Sequence, residues 1–241
     1  MKDIAVVTGA SGGIGRAVAK KIHEASAGAL RLALHYHGNQ ERAEAVQAGI
    51  PDSFLIQADL STSAGRQDLL ASVLKAGAPY ILVNNAGIDR PHEPALNVQE
   101  SSFDQLVNVN LKSPLFLMRD FGKEMIRAEG GMIINISSVL AHKSLVGSAI
   151  YRASKAALEA LTKQFAFELG PRGVRVNAVA PGFIETPMTA LLEDDMKVQI
   201  RSEVALERFG SPEAVAAAVC HLIDNDYING AVISVDGGMA L

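Results

Sequence analysis

The sequence predicts a single α/β domain, an open, doubly wound parallel sheet with helices on both faces. Three observations predict it. Short β-branched and aliphatic runs alternate with helix-period segments along all 241 residues. The runs are nearly continuously apolar, as strands covered on both faces must be. No Pro/Ser-rich linker, low-complexity tract or internal repeat divides the chain, and its length suits one large core.

Taken in order, strands are expected at 4–8, 30–36, 53–58, 80–85, 132–137, 174–180 and 231–235. Helices are expected at 13–26, 39–48, 63–76, 101–127, 151–169 and 212–223, with a weaker segment at 188–203. Right-handed crossovers wind such helices onto both faces of the sheet. Ligands then bind beyond the carboxyl ends of the strands, so functional residues are expected just after strands.

Bulk properties exclude several classes. Net charge is −4 and no Lys/Arg cluster stands out, which argues against a nucleic-acid surface. Cys220 is the only cysteine and sits in AVAAAVCHLI, where it reads as a small buried hydrophobe. Of six histidines only His35 and His37 are close, with no third ligand near them, so no metal site is expected. MKDIAVVTG reads as a strand entering a turn, and no run is long enough to span a bilayer. A soluble cytoplasmic protein is the expectation.

Two stretches carry chemistry. TGASGGIG (Thr8–Gly15) follows the first strand and opens the first helix. Gly9, Gly13 and Gly15 let backbone N–H groups approach a phosphate, and the helix N-terminus favours the anion. YRASK (Tyr151–Lys155) places a tyrosine and a lysine one helical turn apart. That spacing suits a solvated helix face, or an acid catalyst with a charge that tunes it.

Thr-Gly-x-x-x-Gly-x-Gly and YRASK together resemble the short-chain dehydrogenase/reductase family, whose fold is Rossmann-type. LVNNAG (82–87), VNVNLKSP (107–114), NISSV (135–139), APGFIET (180–186) and VDGG (235–238) extend the resemblance over nearly the whole chain. It implies an NAD(P)-dependent oxidoreductase in which Tyr151 is the general acid of reduction. Lys155 would lower the phenol pKa and hold the nicotinamide ribose. Ser138, selected over Ser137 only by the family spacing, would orient the substrate carbonyl, and Asn110 would anchor a proton-relay water. It implies Gly9, Ser11, Gly13, Ile14 and Gly15 around the pyrophosphate, and Asp59 and Leu60 at the adenine. The adenine ribose would lie along Asn84, Asn85, Ala86 and Gly87. Pro181, Gly182, Ile184 and Thr186 would border the nicotinamide. The alternative for Asp59 is a helix N-cap. The segment about 184–205 is expected to form a substrate lid.

In the position where an NAD-binding acid would end the second strand stands Tyr36, and no Asp or Glu follows until Glu41. This favours NADP over NAD, with the phosphate on Ser11, His37, Asn39 and backbone donors and Arg42 in reach. Within the family the chain most resembles the branch that reduces 3-oxoacyl groups on acyl-carrier protein, with Arg172 at one of its docking positions. Glu129 and the loop IDRPHEPALNVQES, with Pro91 and Pro94, depart from that branch. Acetoacetyl-CoA, polyketide-like chains, sugars or secondary alcohols remain alternative substrates, and a non-catalytic dinucleotide sensor a further alternative. The resemblance also implies a homotetramer, and the small and apolar residues of 151–169 suit a helix covered by a second copy.

Overall fold

A computed structural model describes residues 3–89, 94–190 and 192–241, so Pro91 lies outside the described residues. Seven strands form one parallel sheet in the order β3-β2-β1-β4-β5-β6-β7. They are β1 (Asp3–Val7), β2 (Leu30–Tyr36), β3 (Ser53–Gln57), β4 (Pro79–Asn84), β5 (Gly131–Ile136), β6 (Val174–Pro181) and β7 (Val232–Val235). The order reverses between β1 and β4, which pair directly, with Val7 opposite Val83. A crevice opens at such a reversal because the connections leave β1 and β4 on opposite faces.

One face carries α1 (Gly13–Ser26) and α9 (Pro212–Asp224), packed with Ala5, Val7, Leu32 and Val179. On the other lie α3 (Ser63–Ala76), α5 (Ser113–Arg127) and α6 (Ala149–Leu169), where Phe121, Met118 and Leu158 meet Ile4, Leu82 and Ile133. The alternation of side chains along each strand sends neighbours to opposite clusters, so both faces are apolar. Cys220 packs in the α9 cluster, and burial pushes its thiol up to about 11.

Local chemistry sets the helix ends. Thr62 caps α3 by accepting from Gly65 N, and Ser211 caps α9 by accepting from Ala214 N, ahead of Pro212 in the first turn. Asn39 caps α2 (Gln40–Ala48) by accepting from Arg42 N. Gly12, before α1, supplies no side-chain cap. The first N–H groups of α1 are therefore open to an anion.

The expected helix at 101–127 is interrupted. It divides into α4 (Glu100–Val107), a π turn over Asn108–Lys112, and α5. The residues keep helical spacing, but the extra residue of the π turn breaks the register, a feature frequent at functional sites. The weak segment at 188–203 forms two short helices, α7 (Pro187–Ala190) and α8 (Asp194–Ser202). Among the described residues no helix is long and apolar enough to cross a membrane.

Candidate active site

The carboxyl ends of β1, β2, β4, β5 and β6 border a cleft of about 690 Å³. It runs from the glycine turn and the ends of β2 and β3, past Asn85–Ile88, to Ser138, Tyr151 and Lys155, and is flanked by Pro181–Thr189. The strand-end rule therefore collects residues from positions 9 to 189 in one groove.

The glycine turn is fixed by its neighbours. Thr8 Oγ1 donates to Val83 O (3.1 Å) and accepts from the N–H groups of Asn85 and Ala86 (2.9 Å each). Asn85 Nδ2 returns hydrogen bonds to Thr8 O (2.8 Å) and Gly9 O (3.2 Å). These bonds tie β1 to β4 where the sheet order reverses. Gly9 has φ +66°, where a side chain is strained. A Cβ on Gly15 would lie 2.3 Å from Gly9 O. Only glycine lets the helix start this close to the turn, as a backbone phosphate cradle requires.

His35 is a site residue that the sequence reading missed. Its Nδ1 accepts from Gly9 N (3.1 Å), so the ring proton lies on Nε2, which donates to Ala58 O (3.0 Å). One imidazole thus joins the glycine turn to the end of β3. Burial lowers its pKa to about 4, with the nearby His37 acting in the same direction. Period-two alternation puts His35 and His37 at the cleft, whereas Tyr36 faces away, is buried, and is not among the lining residues. Tyr36, expected at the cofactor, is thus set behind the cleft wall. His37, Gly38, Asn39 and Arg42 line that end instead. Asp59 is exposed in the cleft, and its carboxylate accepts from Ser61 N and Oγ, which hold its pKa down. The N-cap alternative falls to Thr62.

At the other end Lys155 is 5% exposed, and Nζ donates to Ile136 O (2.8 Å) at the end of β5. Burial brings its pKa down to about 8, opposed by the charges of Asp89 and Glu159. Nζ lies 5.6 Å from the Tyr151 ring centroid. Burial pushes the Tyr151 phenol up to about 12, Asp89 adds to the rise, and a hydrogen bond with Ser138 opposes it. In the chain by itself desolvation of the phenolate is the largest influence on this group.

The two adjacent serines separate. Ser137 Oγ is buried and donates to Glu159 Oε1 (2.7 Å), while Ser138 Oγ caps the turn Val139–Ala141 by accepting from Leu140 N (3.2 Å) and lines the cleft with Tyr151. Asn110 is 1% exposed and does not line the cleft. Its amide clasps the Ile88 backbone, Oδ1 accepting from N (2.9 Å) and Nδ2 donating to O (2.8 Å). The π turn aims it there. Gly87 keeps the space beside it open, since a Cβ would lie 3.3 Å from Asn110 Oδ1 and 3.8 Å from Lys155 Nζ. Asn84 is buried below the cleft and donates to Asn135 Oδ1 (2.9 Å). Ser11, Gly13, Ile14, Leu60, Ala86, Pro181, Gly182, Ile184 and Thr186 all reach the cleft. Arg172 does not. It is exposed before β6, at the amino edge of the sheet, where its neighbour Gly173 approaches the Glu129 backbone.

A family model described as enoyl-(acyl carrier protein) reductase matches residues 9–240. The chain belongs to the short-chain dehydrogenase/reductase family and is an oxidoreductase acting on a carbonyl or hydroxyl group. It is 39% identical over 246 residues to the 3-oxoacyl-[acyl-carrier-protein] reductase FabG of Staphylococcus aureus, covering 99% of this chain and 98% of that protein. The FabG of Aquifex aeolicus is 40% identical over 248 residues, 98% and 96% covered. Among solved structures, a short-chain dehydrogenase/reductase from Serratia marcescens superposes with TM-score 0.93 at 32% identity, over 99% of this chain and 98% of that one. The promiscuous reductase LugOII, which catalyses a keto-reduction, superposes with TM-score 0.90 at 30% identity, with coverage of 99% and 98%. Family membership implies a nicotinamide dinucleotide. The glycine cradle, the uncapped α1 N-terminus and the long cleft fit one.

The His35 latch has a pH signature. A folded pKa lowered from 6.5 to about 4 means stability that is full above 6.5 and lost as pH falls toward 4. Urea unfolding at pH 7 and pH 4.5 should show a loss of about 2–3 kcal/mol that His35→Asn, which offers the same acceptor and donor, does not share. Equal losses in both proteins would contradict the latch.

Proposed function

We propose that the protein reduces a 3-oxoacyl thioester to the 3-hydroxyacyl thioester with NADPH. The observation that carries this reading is that Ser138, Tyr151 and Lys155 together line one end of a long cleft at the strand ends. Two hydroxyl donors lining the same end suit one carbonyl oxygen. The family model is described by an enoyl reductase, which acts on a C=C bond, and the FabG relatives by a 3-oxoacyl reductase, which acts on C=O. The donor pair favours the carbonyl.

When bound, the reduced nicotinamide supplies the hydride. Ser138 donates to the carbonyl oxygen and orients it. Tyr151, held as the phenol, gives its proton to the same oxygen as the carbonyl carbon becomes tetrahedral. The resulting phenolate is stabilised by the Lys155 ammonium and is reprotonated from solvent. A phenol pushed up to about 12 suits proton donation, hence reduction. Gly87 shapes the wall beside Lys155, with the buried Asn110 amide behind it.

NADP is favoured by the polar end of the cleft. No carboxylate ends β2, and a second recess of about 300 Å³ between the glycine turn and α2 is lined by Ser11, Arg16 and Arg42. Two guanidinium groups there suit a 2′-phosphate. Tetramer formation is supported by exposed Ala153, Ala156, Ala160 and Phe167 on α6. Since Arg172 lies at the sheet edge opposite the cleft, carrier-protein docking there would serve a neighbouring subunit's site. The segment about 184–205 is read as the substrate lid, its α7 flanking the cleft.

Initial rates of NADPH and NADH oxidation with acetoacetyl-CoA and acetoacetyl-acyl-carrier protein test the reading. It requires NADPH-dependent turnover of at least one thioester, and its absence with both moves the substrate to another carbonyl. Tyr151→Phe should lower kcat by orders of magnitude with dinucleotide affinity retained. Arg42→Ala should raise the KM for NADPH about tenfold, equivalent to about 1.4 kcal/mol, and leave that for NADH within about twofold.

A further inference from the structure

We propose that Glu159 is a positioning residue for the proton-donating pair, holding Ser138 in register with Tyr151 and keeping Lys155 charged. The inference rests on the roles given above to Tyr151, Ser138 and Lys155.

Glu159 lies one turn beyond Lys155 on α6, and its side chain is only 8% exposed. A carboxylate so buried is costly unless it is bonded on every side. Oε1 accepts from Ser137 Oγ (2.7 Å), and Oε2 faces His142 Nε2 (2.8 Å). Ser137 and His142 stand on either side of the turn Val139–Ala141 that Ser138 caps. The two carboxylate oxygens therefore grip the strand-end loop on both sides of Ser138 and fasten it to the helix that carries Tyr151. With the Ser137 hydroxyl engaged by Glu159, Ser138 is the serine whose hydroxyl is left for the cleft it lines with Tyr151.

The same carboxylate acts on Lys155. The charged and titratable groups around that ammonium are Glu159 and Tyr151 on its own helix and Asp89 after β4, while His142 faces Glu159 from the β5–α6 connection. Glu159 and Asp89 both favour the ammonium against its burial. The half-exposed imidazole of His142 covers the carboxylate from solvent. Glu159 thus works on Ser138 through geometry and on Lys155 through charge, without touching substrate.

Glu159→Gln keeps an acceptor for Ser137 and removes the charge. The protein carrying 15Nζ-lysine, with the Lys155 signal assigned from Lys155→Arg, should show the Lys155 titration moved to lower pH by at least about half a unit in Glu159→Gln. The alkaline limb of kcat for NADPH-dependent acetoacetyl-CoA reduction should move with it, at KM values within about twofold. An unmoved Lys155 titration would overturn the proposal. Ser137→Ala tests the geometric half separately, and alone if Glu159→Gln does not fold. It should lower kcat severalfold and leave the Lys155 titration in place, and wild-type kcat would overturn it. The titration needs no substrate, so it decides the inference even if acetoacetyl-CoA is not turned over. Unimpaired turnover by Tyr151→Phe would instead refute the reading of the site itself.

Discussion

A lysine ammonium buried at the carboxyl edge of a parallel sheet is the constraint around which this site is built. Lys155 has lost its water and donates to the carbonyl that ends β5. Such a cation persists only where carbonyls and carboxylates replace the solvent. Ile136 O at the end of β5 and the charges of Asp89 and Glu159 meet that requirement. Tyr151 then falls in the first turn of α6 and lines the cleft with Ser138.

The glycine-turn end of the cleft is held by hydrogen bonds to the backbone. Thr8, Asn85 and His35 satisfy the backbone where β1, β3 and β4 end, and leave the first N–H groups of α1 unused. An anionic pyrophosphate suits those open donors, and a reacting oxygen suits Tyr151 and Ser138. The fold supplies the distance between them. Parallel strands all end on one edge, so a dinucleotide laid along that edge meets both.

Much of this architecture is legible in the sequence. Continuous apolar runs reveal the seven strands, and the glycine turn and YRASK mark both ends of the cleft. Other features depend on three-dimensional context. Asn-Val-Asn-Leu-Lys at 108–112 is compatible with an α-helix, and only packing of Asn110 against Ile88 selects the π turn. A count to a family position puts Tyr36 at the cofactor, while strand alternation gives the cleft to His35 and His37. His35 in an apolar strand reads as core, because nothing local reveals that it bridges Gly9 and Ala58. Glu159 in YRASKAALEAL reads as a solvated helix position, and its burial follows from the β5–α6 connection folding over it. The raised Tyr151 pKa reflects burial, which the spacing of YRASK does not encode.

The central claim is that the strand-end groove holds a nicotinamide dinucleotide along its length. Hydrogen–deuterium exchange with and without NADPH tests it most directly. The account predicts protection of the peptides spanning 8–16, 83–88, 136–139 and 181–189, with little change at the amino edge around 128–131 and 170–174. Protection confined to other surfaces, or none under saturating NADPH and NADH, would contradict it.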